Sequence, residues 1–311
     1  MNQIQMVSLE DLVAKDHPYR KLKKLLNFNR IIRKLKLKQA GVGATGYGKE
    51  RLVYCLLLQF MENLSDRECE RYLRENTAGK WFAGFSLTEE TPDYSTLCKF
   101  RNAMGSEGIE RLFKAVRTQL QEKGYFSDSF KFVDATALIS RFNLWEQRDE
   151  AIRAGYEKLN NENIEKYAAD KDAKIGAKTA HKFWYGFKKH VCVNMKSGMI
   201  ENVAVTPANV TDADGAKLVL PRTGFIFADK GYVGAIAEIK RRFLIPRVIL
   251  RDNMKEKDRE RDKEISKRRA PFERTFSKQD RRVRYRGTAK NQAAEYLNAI
   301  AYNMRRLLVL A

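Results

Sequence analysis

Two short, largely apolar runs in the sequence each lead directly into an aspartate. Residues 225–228 (FIFA) precede Asp229, and residues 130–133 (FKFV) precede Asp134. Both runs are rich in β-forming residues, so each predicts a buried strand with a carboxylate at its C-terminal end. Ligands and catalytic groups concentrate at that end of the strands in open α/β sheets. Asp134 and Asp229 are therefore the first candidates for chemistry.

A third carboxylate, Glu273, lies in the segment predicted to be helical after the last strand. Phe272 and Phe276 form an apolar stripe beside it. Clustered carboxylates repel one another, and bound divalent ions offset that repulsion. Mg²⁺ prefers such oxygen ligands, and Mn²⁺ is expected to substitute for it. The chemistry that uses paired ions of this kind is phosphoryl transfer on a nucleic-acid backbone. The competing third acids are Asp212, Asp214 and Glu264.

Each of these acids also has a purely structural interpretation. Asp134 could close a turn at a strand end, and Asp229 could cap the turn that follows it. Glu273 could pair with Arg269 one helical turn earlier, and Asp212 could be the N-cap of a helix. The three acids Asp134, Asp229 and Glu273, taken together and in this order, favour the metal site.

The composition indicates a folded protein with a polyanionic partner. The chain has 311 residues, of which 43% are hydrophobic, which predicts two domains with substantial cores. Its 60 Lys and Arg against 39 Asp and Glu give a net charge of +21. Nucleic acid is the commonest partner of so basic a chain, and a merely cationic protein is the alternative.

The cysteines show no C-x-x-C spacing, which argues against a zinc site or a disulfide framework. The N-terminal sequence has no signal-peptide pattern, and no apolar run reaches the roughly 18 residues of a membrane span. These features predict an intracellular protein that does not enter membranes.

Residues 1–125 are predicted to form an all-α domain for DNA binding and dimerisation. Amphipathic patterns predict helices over residues 49–63, 66–76, 96–103 and 108–123. Ser65 with Glu68 forms a capping box, Ser95 is a second predicted cap, and Gly124 stands where a helix-ending glycine belongs. A helix-turn-helix and a plain helical packing domain explain the pattern equally well. Candidate phosphate contacts, each equally well explained by a solvated helix face, are Arg67, Arg71, Arg74, Lys99 and Arg101.

Residues 126–311 are predicted to alternate strands and helices. After the strand at 130 come a charged insertion over about 141–180, strands at 182–193 and 199–207, a helix at 213–220, the strand at 225–228, a helix at 235–243 and a strand at 247–250. A polar linker (251–267), a helix from about 270 with Pro271 near its start, and a last helix (289–310) packed on the sheet complete the domain.

This order is that of a ribonuclease-H-like (RNase H-like) α/β fold. The prediction is a five-stranded mixed sheet with helices, preceded by the all-α domain. The first and fourth strands are neighbours in such folds, so Asp134 and Asp229 are expected to face each other.

Several motifs, in order along the chain, resemble those of a known family. They are LEDLV (9–13), YSTLCKFR (94–101), FVDAT (132–136), YGFK (185–188), VTPANVTD (205–212), ADKGY (228–232) and FERTF (272–276). With nearly the whole chain covered, the sequence resembles a bacterial DDE-type insertion-sequence transposase, close to insertion-sequence family five.

The resemblance implies that Asp134, Asp229 and Glu273 are the catalytic and metal-binding residues, with Mg²⁺ as the ion. It also implies the activity: binding the terminal inverted repeats of the element, cleaving DNA and joining the freed end to target DNA. Work on two ends implies at least a homodimer on double-stranded DNA. The implied location is the bacterial cytoplasm, at the nucleoid when DNA is bound.

The sequence departs from the related families around Glu273. Those families place a tyrosine seven residues before the glutamate, an arginine four before it and a lysine seven after it. The corresponding residues here are Ser266, Arg269 and Asp280, with Lys278 close to the expected lysine. Only the arginine matches, so Arg269 is expected to grip DNA near the scissile phosphate.

Basic residues far outnumber acidic ones between residues 240 and 290. Such a segment is expected to hold duplex ends through backbone phosphates, although a solvated face explains residues 255–264 equally well. The predicted DNA contacts are Lys230, Arg269, Arg274, Lys278, Arg281, Arg282 and Arg284.

Two other functions remain open on the sequence. One is an RNase H-like nuclease without strand transfer, and the other is an inactive or domesticated transposase-derived DNA-binding protein. His181 and His190 are predicted to be surface histidines outside the site.

Overall fold

The computed structural model describes residues 7–35, 46–140, 170–179, 182–277 and 282–311, with the backbone alone for Thr179, Lys182 and residues 273–277. The chain divides into two compact units. One comprises Met1–Lys123 with Tyr296–Ala311, and the other comprises Gly124–Glu295. Within the described ranges, no helix is both long enough and apolar enough to span a membrane.

The first unit is helical, as its amphipathic patterns predict. Its helices are α1 Leu9–Leu12, α2 Pro18–Leu25, α3 Phe28–Lys34, α4 Lys49–Met61, α5 Asp66–Glu75, α6 Thr77–Ala83 and α7 Tyr94–Glu122. The predicted capping box is confirmed, because the amides of Glu68 and Ser65 each donate to the other residue's side chain. The predicted Ser95 cap is wrong. Asp93 caps α7 instead, by accepting a hydrogen bond from the Thr96 amide at 2.7 Å.

The helices predicted at 96–103 and 108–123 are two parts of α7. They meet at Gly105, where φ is 60° and ψ is −177°. This backbone region is essentially restricted to glycine, so the residue type sets the break. The glycine predicted to end α7, Gly124, follows it with a φ of 78°.

The second unit contains a mixed sheet, six-stranded over the described ranges. Its strands are β1 Phe130–Ile139, β2 Lys174–Thr179, β3 Lys182–Asn194, β4 Ile200–Pro207, β5 Phe225–Ala228 and β6 Ile245–Val248. The order is β2-β3-β1-β5-β6, and β4 also pairs with β3. The predicted RNase H-like α/β fold behind a helical N-terminal region is confirmed.

The prediction of five strands is wrong, because β2 forms within residues 141–180, which the sequence predicted as a charged insertion. The sequence of β2 is largely polar, and the strand is stabilised by its pairing with β3. Gly176 allows that approach, since a methyl group there would crowd the Trp184 indole. Residues 141–169 of the predicted insertion lie outside the described residues.

Strands β1 and β5 are parallel neighbours, as predicted. Three residue pairs join them: Phe130 with Phe225, Lys131 with Ile226, and Phe132 with Phe227. Strand β1 does not end near Asp134, because its pairing with β3 continues to Ile139. Asp134 therefore lies inside β1, two residues beyond the last one that pairs with β5.

Alternating side chains of the sheet form a hydrophobic core on each face. On one face, Val133 and Ile226 pack with helix α8 (Asp212–Val219), the 3-10 helix Lys230–Ala235 and helix α9 (Ile236–Arg241). On the other face, the ring of Phe132 lies 6.3 Å from that of Phe272 in helix α10 (Arg259–Ser277). We call these the α8 face and the α10 face.

Helix α10 begins earlier than predicted. It starts at Arg259, inside the stretch 251–267 that the sequence predicted as a linker, and Pro271 lies in its interior rather than near its start. Proline removes a backbone donor and weakens a helix interior. Packing of α10 on β1 and β5 holds the helix despite that loss.

The last helix, α11, spans Thr288–Leu310 and is shared between the units. Its first part packs on the sheet, as predicted, because the Gln292 side chain accepts from the Val205 amide at 2.6 Å. From Tyr296 onward it belongs to the helical unit, where Tyr296 stacks on Phe113 with ring centroids 5.4 Å apart. The sequence boundary at residue 125 placed the whole helix in the second domain.

Candidate active site

Asp134 and Asp229, which we call the acid pair, belong to two neighbouring parallel strands: Asp134 lies within β1, and Asp229 directly follows Ala228, the last residue of β5. The last residue pair that joins the two strands is Phe132 with Phe227, two residues before each aspartate. Side chains alternate along a strand, so Asp134 belongs to the α10 face. One oxygen of Asp134 accepts from the Ala135 amide at 2.9 Å.

Asp229 also has the structural role considered for it. It is the N-cap of the 3-10 helix Lys230–Ala235, where its Oδ1 accepts from the Gly231 amide at 2.8 Å. This bond uses one acceptor site and fixes the orientation of the carboxylate, whose remaining acceptor sites suit a ligand.

A third carboxylate, Asp212, approaches the acid pair from the first turn of α8. It is not the helix cap, because Thr211 accepts from the Asp214 amide at 3.1 Å in that role. A methyl group added at Gly231 would lie 3.0 Å from Asp229 Oδ1 and 3.4 Å from Asp212 Oδ2. The two carboxylates therefore border one small space at Gly231.

Lys188 on β3 holds Asp212 in this position. Its Nζ donates to Asp212 Oδ1 and to the carbonyl oxygen of Val210, both at 2.9 Å. Lys188 belongs to the motif YGFK and Asp212 to VTPANVTD, two motifs whose purpose the sequence alone did not reveal. Their joint location was missed because 24 residues separate the two side chains in the chain.

The charges of these same carboxylates act on the hydroxyl of Tyr232, the third residue of the 3-10 helix. Its side chain is 1% exposed, and within the described ranges the hydroxyl has no hydrogen-bond partner. Burial raises the pKa of this hydroxyl well above its ordinary value, and the charges of Asp134, Asp212 and Asp229 raise it further. A buried polar group without a partner is uncommon and calls for a bound group or water.

Helix α10 carries Arg269 and Glu273 over the face of the sheet to which Asp134 belongs. Arg269 is 6% exposed, and its guanidinium carbon lies 5.3 Å from the ring centroid of Phe132. Glu273 follows one helical turn later, and its side chain lies outside the described residues. Among the side chains that are described, no three of histidine, cysteine, aspartate or glutamate form a metal-binding group.

The prediction that His190 is a surface residue is wrong. Its ring is fully buried on the α8 face, with Nε2 at 2.9 Å from the hydroxyl of Thr206. Burial lowers the pKa of His190 to about 4, so the ring is neutral near pH 7. The ring fills space beside Gly215 of α8, where a methyl group would overlap it. His181 lies outside the described residues.

The predicted DNA contacts are only partly described. Lys230, Arg282 and Arg284 are exposed, whereas Arg269 is buried. Lys230 lines a pocket of about 450 Å³ together with Arg251 and Asn253. The side chain of Arg274, and Lys278, Asp280 and Arg281 entirely, lie outside the described residues.

Three candidate phosphate contacts of the helical unit have structural partners. Arg101 is buried, and its two terminal nitrogens donate to the carboxylate of Asp66 at 2.6 and 2.8 Å. Arg67 lies over the Tyr94 ring, and Arg74 pairs with Glu70. Arg101 therefore joins α7 to α5 rather than facing solvent.

Comparison with known proteins gives matches in both halves of the chain. Residues 7–103 match a transposase domain family (DUF772), and residues 129–304 match the transposase DDE domain family. The chain is also similar to a solved structure, the cryo-EM structure of the piggyBac transposase synaptic complex with hairpin DNA. That similarity has 12% identity and a TM-score of 0.32, covers 76% of this chain, and spans about half (49%) of that chain. Since the DDE match alone covers more than half of its residues, this chain belongs to the DDE transposase family.

Proposed function

We propose that this protein binds the terminal inverted repeats of its own insertion sequence and catalyses metal-dependent DNA cleavage and strand transfer. The observation that carries the proposal is the parallel pairing of β1 with β5. Asp134 lies within β1 and Asp229 directly follows β5, 95 residues later in the sequence. The net charge of +21 also suits a polyanionic substrate.

The described residues fit a divalent ion of the Mg²⁺ type, for which Mn²⁺ is expected to substitute. The donors are carboxylate oxygens, which such hard ions prefer, and the space at Gly231 lies directly against Asp229. Asp134, Asp229 and Glu273 would hold the metal, which when bound would stabilise the charge that develops on the phosphate during cleavage and joining.

The remaining residues are assigned to binding and positioning DNA. Lys230, Arg282 and Arg284 are exposed cations that would contact backbone phosphates, giving affinity that falls with salt and little sequence preference. Arg269 is buried on the α10 face of the sheet and would contribute positive charge near the scissile phosphate. Arg274, Lys278 and Arg281 are proposed to extend the same surface. Recognition of the end sequence is assigned to residues 1–125.

Two ends must be handled together in transposition, so we propose a homodimer or higher oligomer on DNA. The proposed location is the bacterial cytoplasm, at the nucleoid while DNA is bound.

The test is nicking of a labelled element end by the full-length protein with Mg²⁺, Mn²⁺ or a chelator. We expect Asp134→Asn, Asp229→Asn and Glu273→Gln each to lower the nicking rate by about a thousandfold or more, while end binding in a gel-shift assay persists. Asp214→Asn, which changes an exposed carboxylate of α8, serves as the matched control and should nick normally.

If one of these three variants nicks DNA at the normal rate, the residue that it changes is not part of the active site. A pre-cut end with a free 3′-hydroxyl extends the test: joined product supports a transposase, whereas nicking without joining identifies a nuclease. Binding without metal-dependent nicking by the unaltered protein identifies a non-catalytic DNA-binding protein.

A further inference from the structure

Two charged side chains at the rim of the acid pair have no role in the function proposed so far. Lys188 of β3 and Asp212 of α8 form an ion pair with 2.9 Å between Nζ and Oδ1. The lysine side chain is 12% exposed and the aspartate 36% exposed. This pair costs more to form than a surface pair because the lysine loses most of its water, so its location beside the acids needs a reason.

The position of Asp212 suggests that reason. Lys188 donates to Oδ1 of Asp212 at 2.9 Å, and the other oxygen, Oδ2, borders the space at Gly231. Asp229 Oδ1 borders the same space from the other side. Asp212 therefore lies across this space from Asp229, beside the position of an ion held there.

Tyr232 gives a second, independent indication of a ligand. Its hydroxyl is buried, is acted on by the charges of Asp134, Asp212 and Asp229, and has no hydrogen-bond partner within the described ranges. A water held by a bound ion would satisfy both this hydroxyl and the carboxylate of Asp212.

We propose that Asp212 is an outer carboxylate of the metal site, binding the waters of the ion held by the acid pair, and that Lys188 is a fixed cation that opposes the ion's charge. This inference rests on the function proposed above. Outer groups of this kind orient and tune a metal without touching it.

The two residues should affect metal affinity in opposite directions. Removing the charge of Asp212 takes away an acceptor and negative potential, which weakens metal binding. Removing the charge of Lys188 takes away positive potential and frees the Asp212 carboxylate, so metal binding becomes stronger. A pair that only braces the fold would give losses, or no change, for both substitutions.

The experiment measures binding of Mn²⁺ alone to the full-length protein, from the electron paramagnetic resonance signal of free Mn²⁺, with no DNA and no turnover. We expect Asp212→Asn to weaken Mn²⁺ binding by about tenfold. We expect Lys188→Met to strengthen it by roughly threefold, and Lys188→Arg, which keeps the charge, to stay within about twofold of the unaltered protein.

The matched controls are Lys217→Met and Asp214→Asn. These residues form a 2.6 Å ion pair on the same helix and repeat the same charge changes, but both side chains are largely exposed. Both control variants should bind Mn²⁺ normally. A thermal unfolding curve in chelator accompanies each variant, and if Asp212→Asn does not fold, the direction of the Lys188→Met change decides.

Asp134→Asn and Asp229→Asn in the same series separate the two proposals. If they bind Mn²⁺ as the unaltered protein does, the proposed metal site itself is wrong. If they lose Mn²⁺ while Asp212→Asn retains it, or if Lys188→Met weakens it, only the inference about Asp212 and Lys188 is overturned.

Discussion

Lys188 and Lys189 are consecutive residues of β3 with closely similar partners and different surroundings. Each pairs with a carboxylate of a helix, Lys188 with Asp212 at 2.9 Å and Lys189 with Glu295 at 3.0 Å. Because neighbouring strand residues point to opposite faces, the first pair lies on the α8 face and the second on the α10 face. The Lys189 pair is buried, with side chains 4% and 9% exposed, whereas Asp212 is 36% exposed.

The difference shows that the geometry of an ion pair does not reveal its purpose. Glu295 lies on α11, so the Lys189 pair joins that helix to the sheet. Asp212 has a second carboxylate, Asp229, across the space at Gly231. We therefore assign stability to one pair and tuning of the metal site to the other.

The comparison predicts its largest effect for Lys189→Met. Glu295 would remain buried after losing its cation, so the free energy of unfolding in urea should fall by roughly 3–5 kcal/mol. Lys188→Met should cost no more than about 1 kcal/mol, because Asp212 can be hydrated. The double variant Lys189→Met with Glu295→Leu should recover much of the loss. Equal losses for the two lysine variants would contradict the assignment.

A second prediction concerns pH and the α8 face. The pKa of His190 is lowered to about 4 from an ordinary 6.5. The groups that face the ring are Thr206, Asp212 and Lys188, with Gly215 packed against it. Between these two pKa values the unfolded chain binds the proton and the folded one does not, so stability falls as pH decreases from about 6.5 to about 4, by up to about 3 kcal/mol.

The His190→Gln variant lacks this contribution. The stability difference between the unaltered protein and the variant, measured by urea unfolding at several pH values, should therefore shrink as the pH decreases through that window. Parallel curves for the two proteins would show that His190 does not titrate as its burial implies.

The smallest predicted effect is that of Gly215→Ala. The added methyl group would overlap the ring of His190, so we expect a loss of about 1–3 kcal/mol in the free energy of unfolding. In a His190→Ala background the same change should cost less, because the overlapping ring is gone. Equal costs in both backgrounds would mean that the helix, and not the ring, excludes the methyl group.

The elements that the sequence predicted well are those with local signals. Strand β5 is a short apolar run that ends at Asp229, and Ser65 with Glu68 predicts the N-terminal cap of α5. The signals for β2 and for the start of α10 are not local. The polar segment of β2 forms a strand only beside β3. Pro271, a residue typical of helix starts, lies inside α10 because tertiary packing outweighs the loss of a backbone hydrogen bond.

The candidate site shows the same division. Asp134 and Asp229 could be proposed because each follows a recognisable apolar run, and the order of the elements predicted that the two strands are neighbours. The partnership of Lys188 with Asp212 had no such signal, since it depends on where α8 packs. Glu273 and the basic residues after it remain predictions from the sequence.

The alignment of the acid pair depends on very little backbone. Strand β1 is held by β3 over nine residue pairs but by β5 over only three. The pairing with β3 determines the face to which the Asp134 side chain points, and the pairing with β5 determines the position of Asp134 along β5. An insertion or deletion of one residue just before Asp134 would turn its carboxylate to the opposite side of the sheet, together with the buried side chain of Leu138. Length changes in this stretch should therefore abolish chemistry.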